Sequence, residues 1–404
     1  MMMSAVCVHV SAAEADRAES GALNNYLFGY MSWGVKHMGL DVLQEKLENS
    51  GRELPEVLVA VIDSGINTSN ILLKGRYTDG YNFINNTTDF EDEEFHGTMV
   101  GGIIADGTSS NVRILPLKVN GKNGRGNMKN VAKAVDYAVK CSADVINLSL
   151  SSEDPNHSIT ILDREIENAV ANGVVVTVAS GNQSGDAADR YPANKSNVLT
   201  VTSIDRNHAI GENANTGACV DFALPGVKIF APYKTYAMVD TGTSLAAPHA
   251  AAAAALLKTW DKSLNQAEIY EIFKQHSVDL GEKGFDTTYG WGMIDLSDFD
   301  INSVYVRPTE PPTEAPTETT TEAPTEASEA LYTLGDADGD GGVSAPDVTL
   351  IQRLLAQIVS ENTVNEKAAD VDLDAEVTVF DVSQIQRYLA GIEIYAEVGK
   401  PIFE

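Results

Sequence analysis

Residues 308–330, PTEPPTEAPTETTTEAPTEASEA, are almost wholly Pro, Thr, Glu, Ala and Ser. Such a stretch has too little apolar surface to offset the entropy of ordering it. Its prolines and mutually repelling glutamates hold it extended. The 404-residue chain therefore cannot fold as one body. Residues 307–330 read as a linker between a large N-terminal unit, whose length suits one sizeable core, and a small C-terminal one.

Upstream of the linker, short apolar runs alternate with helical patterns. VLVAVID (57–63), VRILPLKV (112–119), ADVINLSL (143–150), VVVTVAS (174–180) and VLTVTSI (198–204) are continuous apolar runs rather than alternating ones. Strands of that kind are covered on both faces, which predicts a mostly parallel sheet with helices on each side. NMKNVAKAVDYAVK (127–140) and SITILDREIENAVANG (158–173) supply apolar spacing and a closing glycine suited to those helices. The expected fold is α/β, a doubly wound sheet with sites at the C-terminal ends of its strands.

A net charge of −30 argues against nucleic acid and anionic membranes as partners, because both repel it. Hydrophobic and charged contents of 43% and 21% are ordinary for a globular chain. Three cysteines, Cys7, Cys141 and Cys219, are too few for a disulfide framework. Cys141 and Cys219 either pair or remain free thiols. Residues 1–13, with small residues after a short apolar run, read as a weak or truncated secretion signal without the usual basic start. A short segment, 14–31, follows. The other long apolar run, 244–257, is interrupted by Pro248 and His249 and falls short of the roughly 20 residues of a membrane span.

Three reactive side chains fall where a strand gives way to a loop or helix. They are Asp63 in AVIDSGI, His96 in FHGTMVGGIIA and Ser244 in DTGTSLAAPH. Each has an ordinary explanation: turn chemistry for the aspartate, a surface or core role for the histidine, helix capping for the serine. Together they are the set that acyl transfer needs. A serine hydroxyl is a poor nucleophile until an imidazole takes its proton, and a carboxylate fixes that imidazole's tautomer.

VAVIDSGI, HGTMVGGIIA and TGTSLAAPHAAAAAALL, in this order, resemble the three signature blocks of the subtilisin-like serine proteases (peptidase S8), over about residues 32–300. The resemblance implies that Asp63 orients, His96 is the general base and then acid, and Ser244 is the nucleophile. VASGNQSG is similar to the segment carrying the oxyanion-hole asparagine, here Asn182. NLSLSSE, with Leu148, Ser149, Leu150, Ser151 and Ser152, matches the substrate-binding strand. Ser151 and Ser152 stand where glycines are common. Arg190, just before YPA, falls at the base of the P1 pocket, where its guanidinium favours acidic P1 residues unless Asp186 or Asp189 pairs with it. Phe95 and Met99 replace a glycine and a histidine usual in the family. SWGVKHMGLDVLQEKL resembles a mature N-terminal segment, so only residues 14–31 stand where secreted relatives carry a domain-sized propeptide.

Downstream of the linker, GDADGDGGVSAPDVTLIQRLLAQ and ADVDLDAEVTVFDVSQIQRYLAG repeat each other. Asp336, Asp338, Asp340 and Asp347 occupy positions 1, 3, 5 and 12 of a calcium loop with Gly341 at the sharp turn. Asp370, Asp372, Asp374 and Asp381 repeat the set, with Ala375 in place of the glycine. The interval between Asp347 and Asp370 holds one helix, not the two of an EF-hand pair. Loop-then-helix, duplicated, resembles the type I dockerin over 334–391, followed by a tail, 392–404. That resemblance implies two bound Ca²⁺ ions, an α-helical module, and a cohesin partner on a scaffoldin. Ala345, Pro346, Val379 and Phe380 stand at the positions that set cohesin choice. It leaves room for calcium in the larger domain as well, without ligands assigned to it.

The implied function is a secreted serine endopeptidase, acting on protein or peptide substrates and attached by its dockerin to an extracellular polysaccharide-degrading complex. A catalytically silent binding component and a peptide transferase or macrocyclase of the same fold are the alternatives.

Overall fold

The structure, a computed structural model, describes residues 33–152, 160–234 and 236–303, together with part of 332–402. The chain divides into two compact units, Met1–Val304 and Tyr305–Glu404. Residues 1–13, the segment 14–31 and the whole linker, 307–330, lie outside the described residues.

In the first unit, the expected apolar runs are strands β1 (Val57–Asp63), β3 (Val112–Lys118), β4 (Val145–Leu148), β5 (Val175–Ala179) and β6 (Leu199–Ile204). Two further strands, β2 (Tyr81–Asn82) and β7 (Phe222–Pro225), complete a seven-stranded sheet of order β2-β3-β1-β4-β5-β6-β7. Every neighbouring pair in it is parallel. β4, β5 and β6 are buried along their whole length, as a sheet covered on both faces requires.

The helices are α1 (Trp33–His37), α2 (Leu40–Glu48), α3 (His96–Asp106), α4 (Met128–Lys140), α5 (Thr160–Ala171), α6 (Thr243–Trp260) and α7 (Gln266–Gln275). α4 starts where the Asn127 side chain accepts the Lys129 N–H at 2.8 Å, an N-cap. α4 and α5 bury Val131, Val135, Leu162 and Ile166 against Ile146, Val176 and Val178 of the sheet. α6 is buried from Leu245 to Thr259. Its alanines combine the strongest helix propensity with side chains small enough for a helix inside the core. It follows an antiparallel hairpin, β8 (Ile229–Tyr233) and β9 (Tyr236–Asp240).

The connection order places the site. β1 lies between β3 and β4, so the chain leaves β1 to one side and later returns to the other. Crevices open at such reversals, beyond the carboxyl ends of the strands. Asp63 ends β1, and Ser149 follows β4 directly.

The second unit has a small core of its own. Ala337 and Ile351 of the first repeat and Val371 and Ile385 of the second, which occupy matching repeat positions, are all buried in one cluster. A duplicated unit that cannot close a core alone does so by pairing with its copy. Asp340, Gly341, Ala345, Pro346, Asp370, Asp372, Asp374, Ala375, Val379, Phe380 and Asp381 lie outside the described residues.

Candidate active site

Asp63 is fully buried at the end of β1. Its Oδ1 and Oδ2 lie 2.9 and 3.0 Å from His96 Nδ1, and its Oδ1 accepts the Ser64 N–H at 2.7 Å. A carboxylate so placed holds the Nδ1 proton and leaves Nε2 as the free acceptor. The His96 side chain keeps 24% of its surface exposed, so one edge of the ring faces outward.

His96 opens α3, and neighbours anchor that helix end. Phe95 occupies the N-cap position at φ 76° with no capping side chain. Instead Asp92 Oδ1 accepts the N–H groups of Glu94 and Phe95, and Asp92 Oδ2 takes the N–H and hydroxyl of Thr98. Ser64 Oγ accepts the Gly97 N–H at 2.8 Å. A Cβ on Gly97 would collide with the Gly65 carbonyl oxygen, so only glycine lets α3 approach the end of β1 this closely. The left-handed conformation at Phe95 is one that glycine adopts without strain, in keeping with the glycine expected there from the resemblance. Here the ring is retained against Tyr233, 5.1 Å between centroids, with Lys234 Nζ 5.2 Å above it. Met99, the other departure, packs with Ile103 of α3 and Leu245 of α6 in one cluster, which joins the His96 helix to the Ser244 helix.

Burial alone would pull the His96 pKa down. The charge and hydrogen bond of Asp63, with the charges of Glu94 and Asp92, outweigh it and raise the pKa to about 9. Glu94 is itself raised, by burial first and then by Asp63 and Asp92.

Ser244 is the second residue of α6. Pro248, four residues on, has no N–H to give the Ser244 carbonyl. Ser149 Oγ donates to that carbonyl instead, at 2.8 Å, and itself accepts from Asn147 Nδ2 at 2.9 Å. Asn182 Oδ1 accepts the Thr243 N–H at 2.9 Å and the Thr243 hydroxyl at 3.2 Å, which leaves the amide NH₂ as the group free to act. A Cβ on Gly242 would stand 3.3 Å from Ser244 Oγ, 3.5 Å from Asn182 Nδ2 and 3.6 Å from Asn182 Oδ1. The side chains of Ser244 and Asn182 are thus both neighbours of Gly242.

A cleft of about 690 Å³ is lined by Glu94, His96 and the run Ser149, Leu150, Ser151 and Ser152. Of the expected substrate strand, Leu148 is turned wholly into the core. Ser149 is 6% exposed and tied to Ser244. The sequence pattern did not single out Asp92, Ser64, Glu94 or Thr243 in these supporting positions: Ser64 and Thr243 act across long sequence separations, and the short-range bonds of Asp92 leave no apolar period to detect. Cys141 and Cys219 are both free thiols. His249, 0% exposed, is held by the Leu245 carbonyl within its own helix, and burial lowers its pKa to about 4; it is a neutral core residue.

In the second unit, Asp336, Asp338 and Asp347 each bring a carboxylate oxygen within 4.8 Å of the others. The Gly339 N–H closes onto Asp336 Oδ1, and those of Asp338 and Ser344 onto the two oxygens of Asp347. Hard, crowded carboxylate oxygens on a tight loop fit Ca²⁺. Ser344, which the sequence pattern did not single out, also gives its hydroxyl to Asp347 at 3.0 Å.

Residues 55–292 match the model of the subtilase family, and residues 334–390 match that of the dockerin type I domain. The chain is 31% identical over 258 residues to the minor extracellular protease Epr of Bacillus subtilis (strain 168), covering 62% of this chain and 39% of that protein. It is 32% identical over 273 residues to subtilisin BL of Lederbergia lenta, covering 65% of this chain and 96% of the relative. Among solved structures, a cold-adapted subtilisin-like serine proteinase aligns with a TM-score of 0.55 at 29% identity, over 60% of this chain and 89% of its own. A lanthipeptide protease aligns at 0.61 with 23% identity, over 68% and 95%, a likeness of fold.

Proposed function

The chain belongs to the subtilase family, and from that premise we propose that it is a secreted serine endopeptidase carried on an extracellular complex by its dockerin domain. Ser244 Oγ attacks the scissile carbonyl carbon while His96 Nε2 takes the hydroxyl proton, with Asp63 holding Nδ1. Asn182 Nδ2 and the Ser244 backbone N–H stabilise the oxyanion. As the C–N bond breaks, His96 returns the proton to the departing amine. Water, deprotonated by the same imidazole, then releases the acyl group from Ser244.

The observation that supports this reading is the hold of Asp63 on His96 Nδ1 through both carboxylate oxygens, in a unit where the Ser244 and Asn182 side chains both neighbour Gly242. Leu150, Ser151 and Ser152 line the substrate cleft. In the second unit Asp336, Asp338, Asp340 and Asp347 hold one Ca²⁺, and Asp370, Asp372, Asp374 and Asp381 hold another. Ala345, Pro346, Val379 and Phe380 give the cohesin an apolar contact. Calcium supplies the charge that lets these carboxylates share a loop and so orders the binding surface.

A fluorophosphonate probe should label the protein, and Ser244→Ala should abolish labelling and lower kcat by about 10⁶. Asn182→Ala should cost about 10²- to 10³-fold, the loss seen for this group in a relative. Labelling that persists in Ser244→Ala would refute the nucleophile. Linear products with a new carboxylate, identified by mass, distinguish hydrolysis from acyl transfer to an amine.

A further inference from the structure

Arg190 is a cation left without an anion beside the site. Asp186 and Asp189 lie within the same short loop, yet among the described residues neither pairs with it. Asp186 instead accepts the Ala188 N–H at 2.9 Å. Arg190 Nε is sealed from solvent and meets no acceptor. An N–H without a partner is costly; Arg76 and Arg113 share an unpartnered Nε, but Arg190, half-buried as a whole, is the one of the three that stands beside Gly181, where a ligand would supply an acceptor.

The position of Arg190 says which ligand group that is. Its Cγ lies 3.2 Å from where a Cβ on Gly181 would stand, and Gly181 directly precedes Asn182. On its other side, Tyr191 pairs with Ser152, whose N–H donates to the Tyr191 carbonyl at 2.8 Å. Arg190 thus stands between the end of the cleft-lining run Ser149–Ser152 and the amide that meets Ser244. A peptide lying along that run, with its reacting carbonyl at Asn182, brings the side chain of the same residue toward Arg190.

Resting on the endopeptidase reading, we infer that Arg190 makes this an acid-selective protease: it cleaves after glutamate, whose carboxylate pairs with the guanidinium. The planar fork of arginine suits a carboxylate in two parallel hydrogen bonds. Ser151 and Ser152 line the cleft at the end of the same run.

The test is kcat/KM for the full chain on one peptide series differing only at the residue before the cleaved bond: Glu, Gln, Leu and Lys. Glu should exceed Gln by roughly ten- to a hundredfold, the range of a charge-assisted hydrogen bond. In Arg190→Gln that ratio should fall to about one, and Arg190→Glu should move the preference to Lys. Cleavage of Leu and Gln peptides with no advantage for Glu, or a Glu advantage that survives Arg190→Gln, overturns the inference alone. Failure to cleave any of the four overturns the endopeptidase reading and this inference together.

Discussion

At the scale of single residues, the charge around His96 sets when the site works. The folded pKa, raised despite burial to about 9 from the ordinary 6.5 by Asp63, Glu94 and Asp92, favours the protonated ring, whereas the proposed proton transfer from Ser244 needs the neutral one with Nε2 free. The expected kcat/KM therefore rises with pH to a midpoint near 9. Glu94 is one of the charges that raise it. Glu94→Gln should move the midpoint down, toward neutrality, and a pH profile of the variant beside the native protein measures the shift. A midpoint that stays put would remove Glu94 from this role. Stability runs the opposite way. A raised histidine pKa contributes stability that is complete below 6.5 and lost as pH rises through about 9, so thermal midpoints should fall over the same window in which activity grows.

Among elements, the junction of β4 with α6 matters most. Pro248 withholds the N–H that would bond the Ser244 carbonyl, and Ser149 supplies a hydroxyl in its place. Ser149→Ala leaves that carbonyl without its donor, at a cost of about 1–3 kcal/mol, and loosens the serine from the substrate run. The expected outcome is a lower thermal midpoint together with a fall in kcat larger than any rise in KM. A drop in stability with unchanged kcat would confine Ser149 to a structural role. The pairing also shows how far local pattern reaches. The apolar runs at 57–63, 112–119 and 174–180 were legible as strands because burial on both faces leaves a continuous apolar signature. β2 and β7 were not, since two and four residues carry no period to detect. Asp63, His96 and Ser244 stood out by chemistry and order, whereas Ser64 and Thr243 hold them through contacts between distant segments and Asp92 through short-range bonds that no apolar period marks.

For the whole molecule, the proposed catalysis and the proposed attachment draw on different units. Asp63, His96, Asn182 and Ser244 all belong to the first, and the calcium loops to the second. Asp347→Ala removes the carboxylate that gathers Asp338 and Ser344 and should weaken calcium and cohesin binding at least tenfold, while fluorophosphonate labelling continues. Chelation with EDTA should abolish cohesin binding in the native chain. Calorimetry against an isolated cohesin, with labelling in parallel, reads both effects, and undiminished cohesin affinity in EDTA would sink the calcium-dependent tether.

The division into two units and the doubly wound sheet were already written in the order of residues, and the proposed acid-base-nucleophile set and calcium loops were read from it. Each rests on composition, period or spacing, which survive in one dimension. Tertiary structure alone decided that Arg190 stays unpaired beside Gly181 despite two nearby aspartates, that Ser149 serves the Ser244 carbonyl, and that Ser64 takes the Gly97 N–H of the His96 helix. Those outcomes depend on which loops the β1 crossover brings together, and hydrogen bonds and ion pairs act over distances that sequence separation does not encode.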